Sequence, residues 1–299
     1  MKKISFINLV ACGTWLSLQG AAAPAMTITN LQPSATFFVF CHSLNSNAKQ
    51  AKYYTRSLPD ESHRPWFILN HSVVSFDFPD TDLNPRKSNR NKTTLGQAGE
   101  LRTIDHIVRE TTSSVCKNRN GVMVGVSRGA VASINYCALY KPQHIKALII
   151  ESPFDHIDNA IAQRVKNSHC SWIPGINKVG SVVFPYFYPK HQKNGPQPIN
   201  VIAELSKDLP ILLVHSKQDK VTPVTCSHRL INILKQAGHQ HVYFLELDQG
   251  AHAKLHLSDN AKLYQEVAHA FLAKYEFAHD PELAKAGKEY LEKCKIVPA

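Results

Sequence analysis

Residues 121–130 read Gly121-Val122-Met123-Val124-Gly125-Val126-Ser127-Arg128-Gly129-Ala130, and the reading of this stretch decides the architecture. The first half, Gly121 to Val126, is a continuous apolar run that predicts a buried strand. Ala130 to Tyr140 predicts a helix. Between them Gly125-Val126-Ser127-Arg128-Gly129 fits G-x-S-x-G, a weak signal alone that gains meaning from a strand before it and a helix after it. The glycines let backbone segments pass closely. The sharp turn lifts the Ser127 hydroxyl above the sheet, at a helix N-terminus where developing negative charge is favoured. The bland alternative is an ordinary serine in a strand–helix turn, and the residues that follow in chain order decide against it.

Outward from this centre the same alternation repeats. Upstream, Thr36 to Cys41 and Val73 to Phe78 are short apolar β runs, the second stopped by Pro79, and Leu101, Ile104, Ile107 and Val108 recur at helical spacing. Downstream, Ile145 to Ile150, Pro210 to His215 and Val242 to Leu247 predict three more strands. Helices are predicted over 225–237, with Gly238 as its stop, over 259–275, and from the cap and first-turn pair Asp280-Pro281. Continuous apolar strands alternating with helices mean an α/β fold with a mostly parallel sheet and helices on both faces. The alternation breaks once, between about residues 155 and 205, where Trp172, Phe184, Tyr186, Phe187 and Tyr188 stand among prolines and lysines. This is expected to be an insertion rather than a separate domain. No internal repeat or low-complexity tract occurs.

The chain has 299 residues, 43% of them hydrophobic, enough for one large core or two small ones, and too apolar for a disordered chain. Its first 25 residues stand apart. Lys2 and Lys3 precede a mostly apolar run from Ile4 to Leu18, broken by Asn8, Gly13 and Thr14, and the small residues Gly20 to Ala25 follow. This order describes a secretory signal peptide over 1–25, cut after Ala23-Pro24-Ala25 and before Met26. An uncut anchor is the weaker reading, because the run is short and interrupted. A lipoprotein box at Leu9-Val10-Ala11-Cys12 sits too early in the chain. The mature chain, 26–299, is therefore expected to be secreted or periplasmic, with no stable membrane span.

The formal charge of +11 falls to about +9 without Lys2 and Lys3, with 32 basic against 23 acidic residues. The densest basic stretch, Arg86-Lys87-Ser88-Asn89-Arg90-Asn91-Lys92, is read as a solvated loop, since no nucleic-acid motif accompanies it. Six cysteines remain after Cys12 is removed: Cys41, Cys116, Cys137, Cys170, Cys226 and Cys294. An even number in an exported chain permits disulfides, while Cys41 at a strand end and Cys137 on a core helix suit buried thiols. No C-x-x-C pair occurs, so a ribbon-type zinc site is unsupported.

A serine hydroxyl needs a base, and the base needs an orienting acid. After the fifth strand comes His215-Ser216-Lys217-Gln218-Asp219, and after the sixth Asp248-Gln249-Gly250-Ala251-His252. Asp219 and His252 thus lie just past strand C-terminal ends, where parallel sheets place their active sites, and the order Ser, acid, His is that of G-x-S-x-G enzymes. Asp219 alone reads as a helix cap, and His252 is one of 16 histidines. The joint placement of the three is what points to chemistry. Rival acids are Glu151, Asp155 and Asp248, and His256 is a rival base. Two backbone donors are needed for an oxyanion. Arg128, next to the nucleophile, is one, and Leu44, in the loop after Cys41, is the candidate for the other.

These pieces resemble the α/β-hydrolase superfamily, the branch that includes serine aminopeptidase-like lipases, esterases and prolyl-oligopeptidase-like peptidases. The resemblance covers about residues 36 to 275. It rests on Phe40-Cys41-His42-Ser43, Ser75-Phe76-Asp77-Phe78-Pro79, the Ser127 turn, Ala147 to Phe154, the Asp219 loop with Pro223, and His252. It implies hydrolysis of an ester, thioester or amide through an acyl-enzyme, with no cofactor and no metal. It also favours Asp219 and His252 over their rivals. The 155–205 insertion would be a lid, and its aromatics Phe184 to Tyr188 either line an apolar acyl or alkyl pocket or pack the lid onto the body. Lys166, Lys178 and Lys190 suit acidic or lipid-surface substrates, with solvated charge as the plainer reading. A carboxylic-ester hydrolase acting on a small-molecule, lipid-like substrate is the expectation. A peptidase of the same fold and a non-catalytic binder are the alternatives. Two departures stand out: the family usually has His-Gly where this chain has His42-Ser43, and again where it has His215-Ser216. Few residues precede the first strong strand of the mature chain, so the opening hairpin of the fold is expected to be short or absent.

Overall fold

The structure, a computed structural model, describes residues 16–18, 26–29, 35–55, 72–79, 81, 90–167 and 184–298. Most of the expected leader, Arg86 to Asn89 of the basic loop, and Cys170, Trp172 and Lys178 lie outside the described residues.

Among the described residues, nine strands form one sheet in the order β1-β2-β4-β3-β5-β6-β7-β8-β9. The strands are β1 (Leu16–Leu18), β2 (Met26–Thr29), β3 (Thr36–Cys41), β4 (Ser72–Phe76), β5 (Asn120–Val126), β6 (Ile145–Glu151), β7 (Ile211–Ser216), β8 (Val242–Leu247) and β9 (Lys295–Ile296). From β4 across to β8 every pairing is parallel; β1, β2 and β9 join antiparallel at the two ends. The opening hairpin is thus present and short. The expected cut before Met26 falls between its two strands, which pair Leu18 with Met26.

Strand side chains alternate between faces, so a fully buried strand feeds two cores. Phe37, Val39 and Cys41 point into one core with Met123, Leu148, Leu213 and Val242. Phe38 and Phe40 point into the other with Val124, Ile149, Val214 and Tyr243. Helices α1 (Ala98–Ser113), α2 (Arg128–Tyr140), the short α4 (Pro198–Val201) and α5 (Thr225–Gln236) cover the first face. Helices α6 (Ala261–Lys274) and α7 (Pro281–Lys293) cover the second, together with the 3-10 segment Ala48–Tyr54. This is the α/β architecture expected from the sequence, a mostly parallel sheet with helices on both faces.

Helix α3 (Ile157–Lys166), a helical turn at 184–187 and α4 belong to the 155–205 insertion. The base of the insertion is fixed by Asp155, whose buried carboxylate accepts hydrogen bonds from Arg229 of α5, from Asn159 Nδ2 (2.9 Å) and from the His156 amide (2.8 Å). Cys41, Cys116, Cys137, Cys226 and Cys294 are free thiols, so the disulfides that an even count permits do not form among the described residues. The first four are buried. Burial pushes the Cys41 thiol up to about 12, which keeps it protonated. Among the described residues no helix is long and apolar enough to cross a membrane.

Candidate active site

The turn between β5 and α2 is as tight as the pentapeptide implies. Ser127 holds φ 54° and ψ −114°, a conformation that L side chains rarely adopt, and its amide donates to Glu151 O at 2.8 Å. Two glycines make this possible. A Cβ on Gly129 would lie 1.9 Å from Cys41 O, and one on Gly125 would lie 2.7 Å from Gly129 O. The Ser127 turn and the end of β3 therefore pass in direct backbone contact.

Ser127 Oγ lies 2.7 Å from His252 Nε2, and His252 Nδ1 lies 2.7 Å from Asp219 Oδ2. All three residues follow the C-terminal ends of their strands, β5, β8 and β7. Asp219 is buried, and burial alone would raise its pKa. Hydrogen bonds from His215 and His252 outweigh that and hold the carboxyl well below its usual range, so it is ionised. Its oxygens also accept from the Val221 amide (2.8 Å), the Thr222 amide (2.9 Å) and the Thr222 hydroxyl (3.1 Å). A carboxylate fixed by this many donors holds its histidine in one orientation.

The rivals are engaged elsewhere. Glu151 accepts from Tyr54 OH at 2.9 Å, and Asp155 pairs with Arg229. Asp248 pairs with Lys217 at 2.7 Å on the surface. His256 meets Tyr54 OH at 3.3 Å and stacks on Tyr53.

Leu44 and Arg128 both line the cavity at Ser127. Arg128 opens α2, so its amide belongs to the N-terminal donors a helix leaves for outside acceptors. The loop carrying Leu44 is pinned from several sides. The Ser43 amide donates to Gln50 Oε1 (2.7 Å), the Ala48 amide to Asp77 Oδ1 (2.7 Å), and the Phe78 amide to His42 Nε2 (3.2 Å).

Sequence reasoning gave Arg128 a role through its backbone only. Its side chain is buried, and the guanidinium lies 4.5 Å over the Phe78 ring, 3.4 Å from Ser43 O and 3.8 Å from Glu100 Oε1. Glu100 in turn accepts from Thr93 Oγ1 (2.7 Å) and from the amides of Thr94 and Leu95. One buried ion pair therefore ties the Ser127 turn to the β3 loop and to the start of α1. His215 was likewise passed over. Its Nε2 lies 3.3 Å from Asp219 Oδ2 and 3.1 Å from Thr222 O, and its Nδ1 2.8 Å from Ser227 Oγ. A charged residue beside the nucleophile and a histidine four before the acid were the signals available.

A cavity of about 830 Å³ opens over Ser127 and His252. Leu44, Leu95, Phe154, Ile157, Phe184 and Tyr188 supply much of its wall. Phe184 and Tyr188 of the insertion both line this space and pack on the body, against the cluster of Leu95, Val131 and Phe154. Lys166 and Lys190 are exposed. No group of three or more His, Cys, Asp or Glu side chains among the described residues is placed to hold a metal ion.

No protein-family model matches this sequence, and no curated protein matches it. Solved structures do. An esterase of Pyrococcus furiosus superposes with a TM-score of 0.61 at 17% identity, over 88% of this chain and 92% of that one. An acylaminoacyl peptidase of Pyrococcus horikoshii superposes with a TM-score of 0.62 at 12% identity, over 91% of this chain but 43% of that one. An α/β serine hydrolase of Xanthomonas campestris, described as having no lid, gives 0.52 at 13% identity, over 91% and 99%. At these identities the likeness concerns the fold, which is that of the α/β-hydrolase superfamily.

Proposed function

We propose that this chain is an exported serine hydrolase that cleaves carboxylic esters or thioesters through an acyl-enzyme. The observation that carries the reading is the unbroken Ser127–His252–Asp219 chain, with 2.7 Å at each link, on a strained turn at the floor of a cavity. His252 takes the proton of Ser127 as its oxygen attacks the acyl carbonyl. Asp219 orients the imidazole and stabilises its charged form. The amides of Leu44 and Arg128 receive the oxyanion, and His252 hands its proton to the leaving alcohol or thiol. Water, deprotonated by the same His252, then releases the acid.

An ester is favoured over a peptide with a free amino terminus because no Asp or Glu is among the described residues lining the cavity, so none is placed to hold an ammonium group. Removal of 1–25 on export frees a mature chain that begins with β2. The insertion acts as the lid. The test is fluorophosphonate labelling of the purified mature protein, with the adduct mapped by mass spectrometry and p-nitrophenyl ester turnover measured alongside. An adduct on Ser127 that is absent in His252→Ala, with turnover at background in Ser127→Ala, is the expected result. A folded protein that takes no label and turns over no ester would be a binder on this fold.

A further inference from the structure

The helix that roofs the cavity carries a pattern the ester reading does not use. Ile157, Ala160, Ile161, Arg164 and Val165 of α3 all line the cavity, at spacings of three, four, seven and eight residues from Ile157. This is one face of a helix. It is apolar for its first turn and a half and then presents a guanidinium, about 10 Å along the axis from Ile157 at the helical rise. Lys254, two residues beyond His252, is a second cation on the wall. Outside the lining, the Arg90 guanidinium lies 5.6 Å from the Phe187 ring centre and 6.0 Å from that of Tyr188. Against these, the described lining holds no carboxylate. Arg128, the remaining charge in the lining, is already committed to Glu100.

We propose that the substrate is an anionic amphiphile: an ester whose medium-length hydrocarbon part lies along the apolar face of α3 and whose far end bears a carboxylate or phosphate read by Arg164 and Lys254. The inference rests on the serine-hydrolase reading and deepens it. An apolar wall selects chain length but discriminates weakly between end groups. The two cations supply that discrimination, and being exposed, they do so in a salt-dependent way.

The experiment compares kcat/KM for p-nitrophenyl octanoate with that for the p-nitrophenyl monoester of octanedioic acid, which has the same chain ending in a carboxylate. Octanoate and octyl phosphate serve as competing inhibitors to separate the two head-group sources. The expected result is a preference for the anionic ester of about three- to tenfold at low salt, shrinking toward unity at 1 M NaCl. Arg164→Glu should reverse the preference, and Lys254→Glu should reduce it. Tighter inhibition by octyl phosphate than by octanoate assigns a phosphate head; the reverse assigns a carboxylate. Efficient hydrolysis of the neutral octanoate ester with no preference for the anionic one, or a preference untouched by Arg164→Glu, overturns the inference while the hydrolase reading stands. Absence of turnover on both esters together with no fluorophosphonate adduct on Ser127 removes the hydrolase reading, and this inference with it.

Discussion

Glu151 offers a quantitative test of the way the site is built. It ends β6, is fully buried, and has no cation beside it among the described residues. Burial raises its pKa; hydrogen bonds from Tyr54 OH at 2.9 Å and from the Leu255 amide at 3.4 Å only partly oppose that. The result is a carboxyl pushed up to about 7, against 4.5 when exposed. Below 4.5 both folded and unfolded chains hold the proton. Between 4.5 and 7 the unfolded chain releases it while the folded chain keeps it, so stability falls as pH rises. The full loss, reached above pH 7, is about 3 kcal/mol. Glu151→Gln keeps the shape and removes the charge. It keeps only part of the hydrogen bonding that Tyr54, Tyr264 and the Leu255 amide give Glu151, so it should cost about 1 kcal/mol at pH 5. By pH 8 the balance should have moved in its favour by about 2–3 kcal/mol, making the variant the more stable protein. Urea unfolding of both proteins at the two pH values measures the difference. Asp219 and His42 titrate too, Asp219 with a lowered pKa and His42 held low by burial and by the Arg128 charge, but both are common to the two proteins and cancel. A variant that is worse by the same margin at both pH values would refute the claim that Glu151 is buried as an acid.

Two further outcomes follow from the geometry. Asp219→Asn should lower kcat on a p-nitrophenyl ester by about 10⁴-fold, because an amide nitrogen facing His252 Nδ1 turns the imidazole's other proton toward Ser127; a loss under tenfold would remove Asp219 from the role proposed for it. Gly129→Ala places a methyl against Cys41 O, so the nucleophile turn and the β3 loop must separate. About 3 kcal/mol of stability should go, measured by urea unfolding, with the ester activity, and wild-type-like stability would mean that the backbones are not in contact.

The sheet was legible because its strands are buried on both faces and therefore read as unbroken apolar runs. β3 and β5 to β8 fall within a residue of their predicted bounds. What escaped prediction lacks that signature. The strand β9 has two residues and gains its order from pairing with Val242 and Tyr243. The segment Ala48–Tyr54 has little apolar periodicity, and is held by hydrogen bonds from the Ala48 amide to Asp77 and from the Ser43 amide to Gln50, groups distant in sequence or hidden inside the loop. Helix α3 carries a signal of its own, Ile157, Ala160, Ile161 and Val165 at helical spacing, inside a stretch expected only to be an insertion and given no elements. The cysteine count left pairing open, and Cys41 and Cys137 are the buried thiols that a strand end and a core helix suit. An even number permits pairing, yet thiols that fill the core on either side of a strand or helix are placed by packing, not by partners.

The two departures from the family's glycines show what a motif position requires physically. Glycine is favoured where φ is positive and required where a Cβ has no room. Gly129 meets the second condition, because its Cβ would overlap Cys41 O. Ser43 does not meet the first: the left-handed residue of its loop is Asn45, at φ 58°. With no left-handed turn to make at 43, the loop is shaped by contacts instead. Gln50 takes the Ser43 amide, Arg128 reaches the Ser43 carbonyl, and the buried Glu100 fixes Arg128. A buried charge pair is costly to break, and removing one partner leaves the other unpaired in the interior. The loop carrying Leu44 is therefore held by the residue that follows the nucleophile, so both amides proposed to meet the oxyanion depend on the same side chain.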